Sequence, residues 1–120
     1  MPKLFIAADH AGFALKNALA EHLRTLGYDV EDMGAHTLDH EDDYPDFMTP
    51  LAKRIAEEPN ARGILVGGSG QGEAMCANRV RGIRAAVFYG EMKVTAALDV
   101  EGGHSEDGYD LVRLARRHNN

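Results

Sequence analysis

Ile64-Leu65-Val66-Gly67-Gly68-Ser69-Gly70-Gln71-Gly72-Glu73 carries the strongest local signal in the chain. Three aliphatic residues lead into four glycines within six positions, and a helix-compatible segment over 73–80 follows. This order predicts a buried strand, a tight turn and the start of a helix. Glycine leaves the backbone bare and tolerates positive φ, so successive N–H groups can converge on an anion at the positive end of the helix. The segment therefore predicts a nest for a phosphate or an oxyanion.

The spacing of these glycines argues against the common nucleotide-binding motifs. Gly68, Gly70 and Gly72 are separated by steps of two and two, whereas the dinucleotide fingerprint needs a step of two and then three. No lysine follows, as a phosphate loop of the NTPase kind requires. Glu73 stands where the helix begins. It is either a first-turn acid that complements the helix dipole or a chemically active carboxylate, and the loop alone leaves both interpretations open.

Length and composition narrow the class of protein. The 120 residues predict one domain over 1–120, long enough to bury a core. A net charge of −6 argues against a nucleic-acid or membrane-surface partner. No apolar stretch approaches the ~20 residues of a membrane span. Cys76 is the single cysteine and cannot form an internal disulfide, so we expect a cytoplasmic protein.

Strand-like and helix-like segments alternate along the chain, which predicts a parallel sheet covered on both faces. The predicted strands cover residues 3–8, 28–33, 64–66 and 83–89. The first predicted helix has Leu15, Leu19, Leu23 and Leu26 on one stripe and stops at Gly27. The next runs from Asp46, a plausible N-cap, to about Glu58, with Phe47, Leu51 and Ile55 at four-residue steps. Further helices are predicted over 73–80, 92–98 and 109–117, with loops over 35–44 and 99–108.

Reactive side chains follow three of the predicted strands. Asp9 and His10 leave the first strand, the loop containing Tyr44 leaves the second, and the glycine loop leaves the third. Ligands of open parallel sheets collect beyond the carboxyl ends of the strands, so these groups are expected to share one rim. An acid, an imidazole, a phenol and Glu73 around an anion nest favour proton transfer on a phosphorylated small molecule.

These motifs, taken in order, resemble the ribose-5-phosphate isomerase B family, which includes the galactose-6-phosphate isomerase subunits. The matching segments are Ala8-Asp9-His10-Ala11-Gly12-Phe13-Ala14-Leu15-Lys16, Asp43-Tyr44-Pro45-Asp46, the glycine loop from Gly63 to Glu73, Ala77-Asn78-Arg79-Val80, Gly82-Ile83-Arg84-Ala85 and Arg116-Arg117-His118-Asn119-Asn120.

The resemblance implies a Rossmann-like three-layer α/β/α sandwich. It also implies aldose–ketose isomerisation of a sugar phosphate, ribose 5-phosphate first, through an enediolate without metal or other cofactor. The catalytic residues would be Glu73, His118 and Ser69. The substrate would contact nine positions: Asp9, His10, Tyr44, Gly68, Ser69, Gly70, Gln71, Gly72 and Asn119.

Members of this family differ in the catalytic base. Some place a cysteine at the position of Gly67, and others use a glutamate just after the loop, where this chain has Glu73. Cys76 is not the cysteine of the family. A glutamate base needs a raised pKa, which desolvation would favour and the positive end of the helix would oppose. His118 would open the sugar ring and Asn119 would contact substrate across a dimer interface, so the resemblance implies a homodimer or a pair of dimers.

The sequence departs from the family pattern in ways that keep other functions open. The family continues after the His-Asn-Asn motif with a strand and a helix that supply phosphate-binding arginines, which the 120 residues do not include. Arg84, Arg113 and Arg116 are possible substitutes, although surface roles explain them more simply. The alternatives are a non-catalytic phosphosugar-binding module and a subunit that needs a partner chain. The acidic loop with His36, Asp39, His40, Asp42 and Asp43 matches no zinc pattern and is interpreted as solvated.

Overall fold

A computed structural model describes residues 2–91 and 107–119 of the chain. The chain divides into two compact units, Met1–Ala85 and Ala86–Asn120, which are described separately. The single domain expected over 1–120 stays a prediction. The predicted helix over 92–98 and most of the predicted loop over 99–108 lie outside the described residues.

The first unit is built on a sheet of three parallel strands. They are β1 (Leu4–Ala8), β2 (Val30–Asp32) and β3 (Arg62–Val66), in the order β2-β1-β3. Leu4 of the central strand stands opposite Val30 on one side and Arg62 on the other. All five residues of β1 are buried, as the continuous apolar run predicts. The predicted parallel α/β architecture is confirmed.

Helices cover both faces of this sheet. Leu4 and Ile6 pack towards α1 (Phe13–Thr25), whereas Phe5 and Ala7 pack towards α2 (Pro45–Glu57). Side chains of a strand alternate between the faces, so β1 supplies both apolar layers. The first layer adds Ala20, Val30, Leu19, Leu23, Tyr28 and Ile64, and the second adds Leu51, Ala61, Met33, Phe47, Ile55 and Leu65.

The buried stripe of α1 differs from the predicted one. Leu19 and Leu23 pack against the core, but Leu15 and Leu26 are 57% and 56% exposed. Lys16 is fully buried instead. Its ammonium donates to both carboxylate oxygens of Asp32, at 3.0 and 2.8 Å, and to the Ala35 carbonyl at 2.6 Å. The ion pair makes the burial of this cation tolerable. A hydrophobic pattern counts only apolar side chains, so it could not predict a buried lysine.

The start of α2 corrects the predicted cap. Tyr44 is the N-cap and Pro45 the first helical residue, while Asp46 lies in the first turn and does not cap the helix. Proline suits the first position because its φ is already helical and its missing N–H would have no helical acceptor. The predicted inward positions Phe47, Leu51 and Ile55 are confirmed.

The strand predicted over Ile83–Tyr89 is wrong, because no strand ladder forms there in the described chain. The side-chain amide of Asn78 instead accepts from the Ala85 N–H at 2.7 Å and donates to the Ala85 carbonyl at 2.9 Å. Ala85 thus has both backbone groups bonded to a side chain, which replaces a neighbouring strand at that point.

The described part of the second unit contains α4 (Asp110–His118), one residue later than the helix predicted over 109–117. Leu114 and Ala115 are half-buried, and Leu111 is exposed. Arg113 pairs with Asp107 at 2.8 Å and with Asp110 at 3.5 Å. None of the helices in the described ranges has the length and apolar character needed to cross a bilayer.

Candidate functional site

The three segments predicted to share a rim do contact one another in the first unit. A Cβ on Gly12 would meet the carbonyl oxygen of Val66 at 2.5 Å, so the turn after β1 packs directly on the end of β3. A Cβ on Gly68 would lie 3.8 Å from that of Ala11, which places the glycine loop beside the same turn. The carboxyl ends of β1 and β3 therefore form one edge, as the parallel topology requires.

Asp9 organises the turn that follows β1. Its side chain is 7% exposed, and its Oδ1 accepts from the N–H of Ala11 at 3.0 Å and of Gly12 at 3.3 Å. It is thus the N-cap of a 3-10 turn over His10–Gly12. This capping holds His10 at the rim. The substrate contact expected of Asp9 stays a prediction.

His10 is bound to an aspartate of the loop after β2. The Oδ1 atom of Asp42 lies 2.6 Å from the His10 Nδ1 and also accepts from the His10 backbone N–H at 3.0 Å. The Asp42 side chain is 9% exposed and that of His10 is 34% exposed. The interpretation of Asp42 as part of a solvated loop is wrong, because this carboxylate faces the turn. The contact joins residues 32 positions apart, so local spacing carries no signal for it.

The pair shifts both protonation equilibria. The hydrogen bond to Asp42 raises the pKa of His10 above its ordinary 6.5, and the charges of Asp42, Asp9 and Asp39 add to this against the effect of burial. Burial would raise the pKa of Asp42, but the hydrogen bonds from the His10 ring and backbone outweigh it and lower that pKa below 3.8. Both shifts favour the pair of a protonated His10 and an ionised Asp42.

The glycine loop leads into α3 (Gln71–Asn78), two residues earlier than the helix predicted from residue 73. Gly70 is the N-cap with φ of 77°, a left-handed conformation that favours glycine. The Ser69 Oγ accepts from the Gln71 N–H at 3.2 Å. Within residues 2–91 and 107–119, the N–H groups of Gly72 and Glu73 have no acceptor. Free N–H groups at a helix N-terminus can receive an anion.

Glu73 is buried beside this nest. It is 5% exposed, and its carboxylate lies against the Cα of Gly67, where a Cβ would overlap Oε1. No hydrogen bond or ion pair of its side chain is found in the part of the chain that the structure describes. The carboxylate is thus not committed to another protein group in the described chain and is available to accept a proton.

Tyr44 connects the loop after β2 to the glycine loop. A Cβ on Gly72 would lie 2.9 Å from the Tyr44 Cζ and 3.0 Å from its hydroxyl oxygen. The phenol therefore packs on the first turn of α3, next to the nest. Glycine at position 72 is explained by this contact.

The other predicted site residues lie in the second unit. His118 is the last residue of α4 and is exposed. The Asn119 side chain donates to the Ala115 carbonyl at 3.0 Å. Their predicted catalytic and substrate-binding roles stay predictions.

Two other features resemble binding sites. Ligand atoms of Asp9, His10 and Asp42 all lie within 4.8 Å of one another. The His10–Asp42 contact at 2.6 Å is a direct hydrogen bond, whereas two ligands of one metal ion are separated further, so we interpret the cluster as hydrogen-bonded. A surface depression of about 590 Å³ contains none of the predicted site residues; it is lined by Asn17, Ala20, Glu21, Arg24, Thr25 and Asp32.

Fold and site together define a parallel α/β protein with a glycine loop before a helix, a buried glutamate and a histidine–aspartate pair at the carboxyl edge of its sheet. The sequence profile of the family described as Ribose/Galactose Isomerase matches residues 4–102. The chain belongs to this family.

Individual relatives agree with the family match. The chain is 36% identical over 118 residues to ribose-5-phosphate isomerase B of Mycobacterium leprae, covering 98% of this chain and 62% of that protein. It is 43% identical over 115 residues to the probable ribose-5-phosphate isomerase B of Mycoplasma genitalium, covering 95% and 72%. The chain therefore spans less than two thirds of the length of the first of these relatives.

Solved structures show the same likeness. Ribose-5-phosphate isomerase B of Mycoplasma genitalium with bound ribulose-5-phosphate superposes with a TM-score of 0.68 at 42% identity, covering 70% of this chain and 56% of that one. The ribose 5-phosphate isomerase of Thermotoga maritima gives a TM-score of 0.75 at 36% identity, covering 99% and 69%. The Rossmann-like fold predicted from the sequence is confirmed by these similarities.

Proposed function

We propose that the chain carries the catalytic carboxylate of an aldose–ketose isomerase that converts ribose 5-phosphate into ribulose 5-phosphate, with Glu73 as the base. The observation that carries the proposal is the position of Glu73. The residue is 5% exposed and stands in the first turn of α3, where the N–H groups of Gly72 and Glu73 have no acceptor in the described chain. A carboxylate without a protein partner is available to accept a proton, and free N–H groups stabilise an oxyanion.

The proposed reaction moves a proton from C2 to C1 of the sugar, with Glu73 as its carrier. Glu73 removes the proton from C2 of the open-chain aldose, and the electron pair forms the C1–C2 double bond while negative charge develops on O1. The N–H groups of Gly72 and Glu73 stabilise that charge. Protonation of O1 and loss of the O2 hydroxyl proton then leave a carbonyl at C2, as the proton held by Glu73 is returned to C1. Atoms and charge balance without a cofactor.

The other parts of the proposal come from the resemblance. His118 would open the sugar ring, Asn119 would contact substrate, and both would act across an interface between copies of the chain. A cytoplasmic homodimer or pair of dimers belongs to the same proposal. The complex of the Mycoplasma genitalium enzyme with ribulose-5-phosphate supports a sugar phosphate as the substrate class.

Replacement of Glu73 by Gln tests the proposal. The amide keeps the shape of the side chain but cannot accept a proton at C2, so kcat for ribose 5-phosphate should fall at least about 100-fold. The matched control is Glu57→Gln on the exposed side of α2, which should leave kcat unchanged. Circular dichroism and thermal melting should show all three proteins folded. Retained turnover in the Glu73 variant would remove this residue from the mechanism.

A second candidate is a phosphosugar-binding module or a subunit that turns over substrate only with further polypeptide. The chain spans 62% of the length of its Mycobacterium leprae relative, which motivates this alternative. Assays of the 120 residues, of a longer polypeptide and of mixtures with a second chain distinguish the cases. Saturable binding without interconversion by any of them would favour the binding module.

A further inference from the structure

The His10–Asp42 pair leaves one ring nitrogen available. Nδ1 lies 2.6 Å from the Asp42 Oδ1, and the same oxygen accepts the His10 backbone N–H at 3.0 Å. A ring held in this way cannot rotate without losing its hydrogen bond. The Nε2 atom has no hydrogen-bond partner within residues 2–91 and 107–119. Because the His10 side chain is 34% exposed, a ligand can reach it.

A carboxylate on Nδ1 determines what Nε2 offers. An ionised Asp42 oxygen accepts only, so Nδ1 must carry a proton in both charge states of the ring. Nε2 is then the atom at which the imidazole gains or loses its proton. The protonated ring presents a charged N–H donor, and the neutral ring presents a lone pair. The negative charge of Asp42 favours the protonated ring, so it extends the pH range in which Nε2 carries a proton and can donate it.

Other charged groups surround the pair. Asp9 and Asp39 add negative charge near the His10 ring, and the ring of His40 has its centroid 6.0 Å away. Asp9 is committed to capping the turn, and the Oδ1 of Asp39 accepts the Glu41 N–H at 3.0 Å. Asp42 is the carboxylate that contacts the imidazole directly.

We propose that Asp42 is a positioning residue that fixes the His10 ring through Nδ1 and aims its Nε2 at an anionic oxygen of the substrate. This inference deepens the proposed function and rests on it only in taking that anion to be a sugar phosphate. A protonated imidazole donates a charge-assisted hydrogen bond to phosphate, which is stronger than one from a neutral ring.

The first experiment is an NMR titration of the 120-residue chain, with the His10 signals assigned by their loss in His10→Gln. In the wild type, the pKa of His10 should lie above 6.5, and the neutral ring should carry its proton on Nδ1. In Asp42→Asn, the proton affinity of the ring should fall about tenfold, since the amide keeps the shape but not the charge. The control Asp43→Asn removes an exposed charge from the same loop and should have little effect.

The second experiment measures binding of ribose 5-phosphate by calorimetry at about pH 6 and about pH 8, with each variant expressed relative to the wild type. Asp42→Asn should bind about tenfold more weakly at the higher pH, the difference between a charged and a neutral donor. Its affinity should approach that of the wild type at the lower pH, where the ring protonates without help. A merely structural loss would persist at both values.

Several results would overturn the inference. One is a wild-type His10 that titrates at or below 6.5 or carries its neutral-state proton on Nε2, which the titration reports even if the variant does not fold. Another is an affinity ratio that does not change with pH. Neither the titration nor the affinity ratio requires turnover, so an inactive chain would reject the proposed isomerase reaction while these tests still decide the role of Asp42.

Discussion

The carboxylate of Glu73 occupies the space that a side chain on residue 67 would need. A Cβ on Gly67 would overlap Oε1 and lie 3.0 Å from Cγ of the same glutamate. The family resemblance places a cysteine at position 67 in some members and a glutamate after the loop in others. In this chain the two arrangements exclude each other sterically, because the glutamate is folded back onto the bare Cα.

Gly67→Ala should therefore lower kcat strongly while it changes the free energy of unfolding little. The colliding atoms are the far end of a flexible side chain, so Glu73 can rotate away at a cost of about 1 kcal/mol or less in the free energy of unfolding. Its carboxylate would then leave its place against residue 67, and kcat for ribose 5-phosphate should fall at least about 100-fold. Steady-state kinetics and urea unfolding measure the two effects. Unchanged kcat would show that the observed position of Glu73 is not required.

Gly63→Ala should give the opposite result and serves as the matched control. A Cβ there would overlap the Ile55 Cδ1 and lie 2.9 Å from the Leu51 Cδ2, both in the apolar layer beneath α2. Overpacking of this kind costs about 1 to 3 kcal/mol in the free energy of unfolding. The kcat of the folded fraction should not change, since β3 holds its register.

Gly72→Ala should weaken substrate binding through Tyr44. The added methyl group would lie 2.9 Å from the Tyr44 Cζ, so the ring must move away from the first turn of α3. If the phenol lines the substrate site, KM should rise about three- to tenfold, with a smaller change in kcat. Tyr44→Phe, which keeps the ring, tests whether the hydroxyl contributes. A normal KM in Gly72→Ala would place Tyr44 outside the binding site.

Lys16→Met should destabilise the first unit. Lys16 is fully buried and Asp32 is 22% exposed, so removal of the ammonium leaves a partly desolvated carboxylate and the Ala35 carbonyl without their donor. Loss of one partner of a buried pair costs about 3 to 5 kcal/mol, and the exposure of Asp32 favours the lower figure. Chemical denaturation at neutral pH measures this cost.

The same pair predicts an acid transition. Burial would raise the pKa of Asp32, but hydrogen bonds from Lys16 and the Gly34 N–H outweigh it and lower that pKa below 3.8. A lowered folded-state pKa contributes stability above 3.8, and this contribution is lost as the pH falls through the lower value. Below about pH 4 the wild type should lose more stability than Lys16→Met, because the variant lacks the ammonium that lowers the pKa of Asp32. Equal acid slopes for the two proteins would contradict this assignment.

The sequence predicted those parts of the site that depend on interactions between neighbouring residues. The glycine cluster required a tight turn at a helix start, and α3 begins there, although at Gln71 because the left-handed Gly70 is the N-cap. The shared edge followed from parallel topology alone. The contact of Asp42 with His10 was not predictable, because the two residues lie 32 positions apart and no sequence periodicity indicates such a contact.

The errors have the same origin. The apolar and aromatic composition of residues 83–89 favours an extended segment. Whether such a segment forms a strand depends on a neighbouring backbone, and the Asn78 side chain takes that place at Ala85. The burial of Lys16 on α1 leaves no local signal, because its counter-charge comes from Asp32 of β2. Residue type indicates a tendency to form a strand or to be buried, whereas contacts with residues distant in sequence decide whether it does so.

The alternation of side chains along β1 makes the strand intolerant of changes in length. Leu4 and Ile6 serve one apolar layer and Phe5 and Ala7 the other, and the strand ends at the aspartate that shapes the histidine turn. Insertion of one amino acid would exchange the inward partners of every following position and turn Asp9 to the opposite side. Natural variants should therefore differ here by substitution and not by insertion or deletion, since one indel would ruin folding and chemistry together.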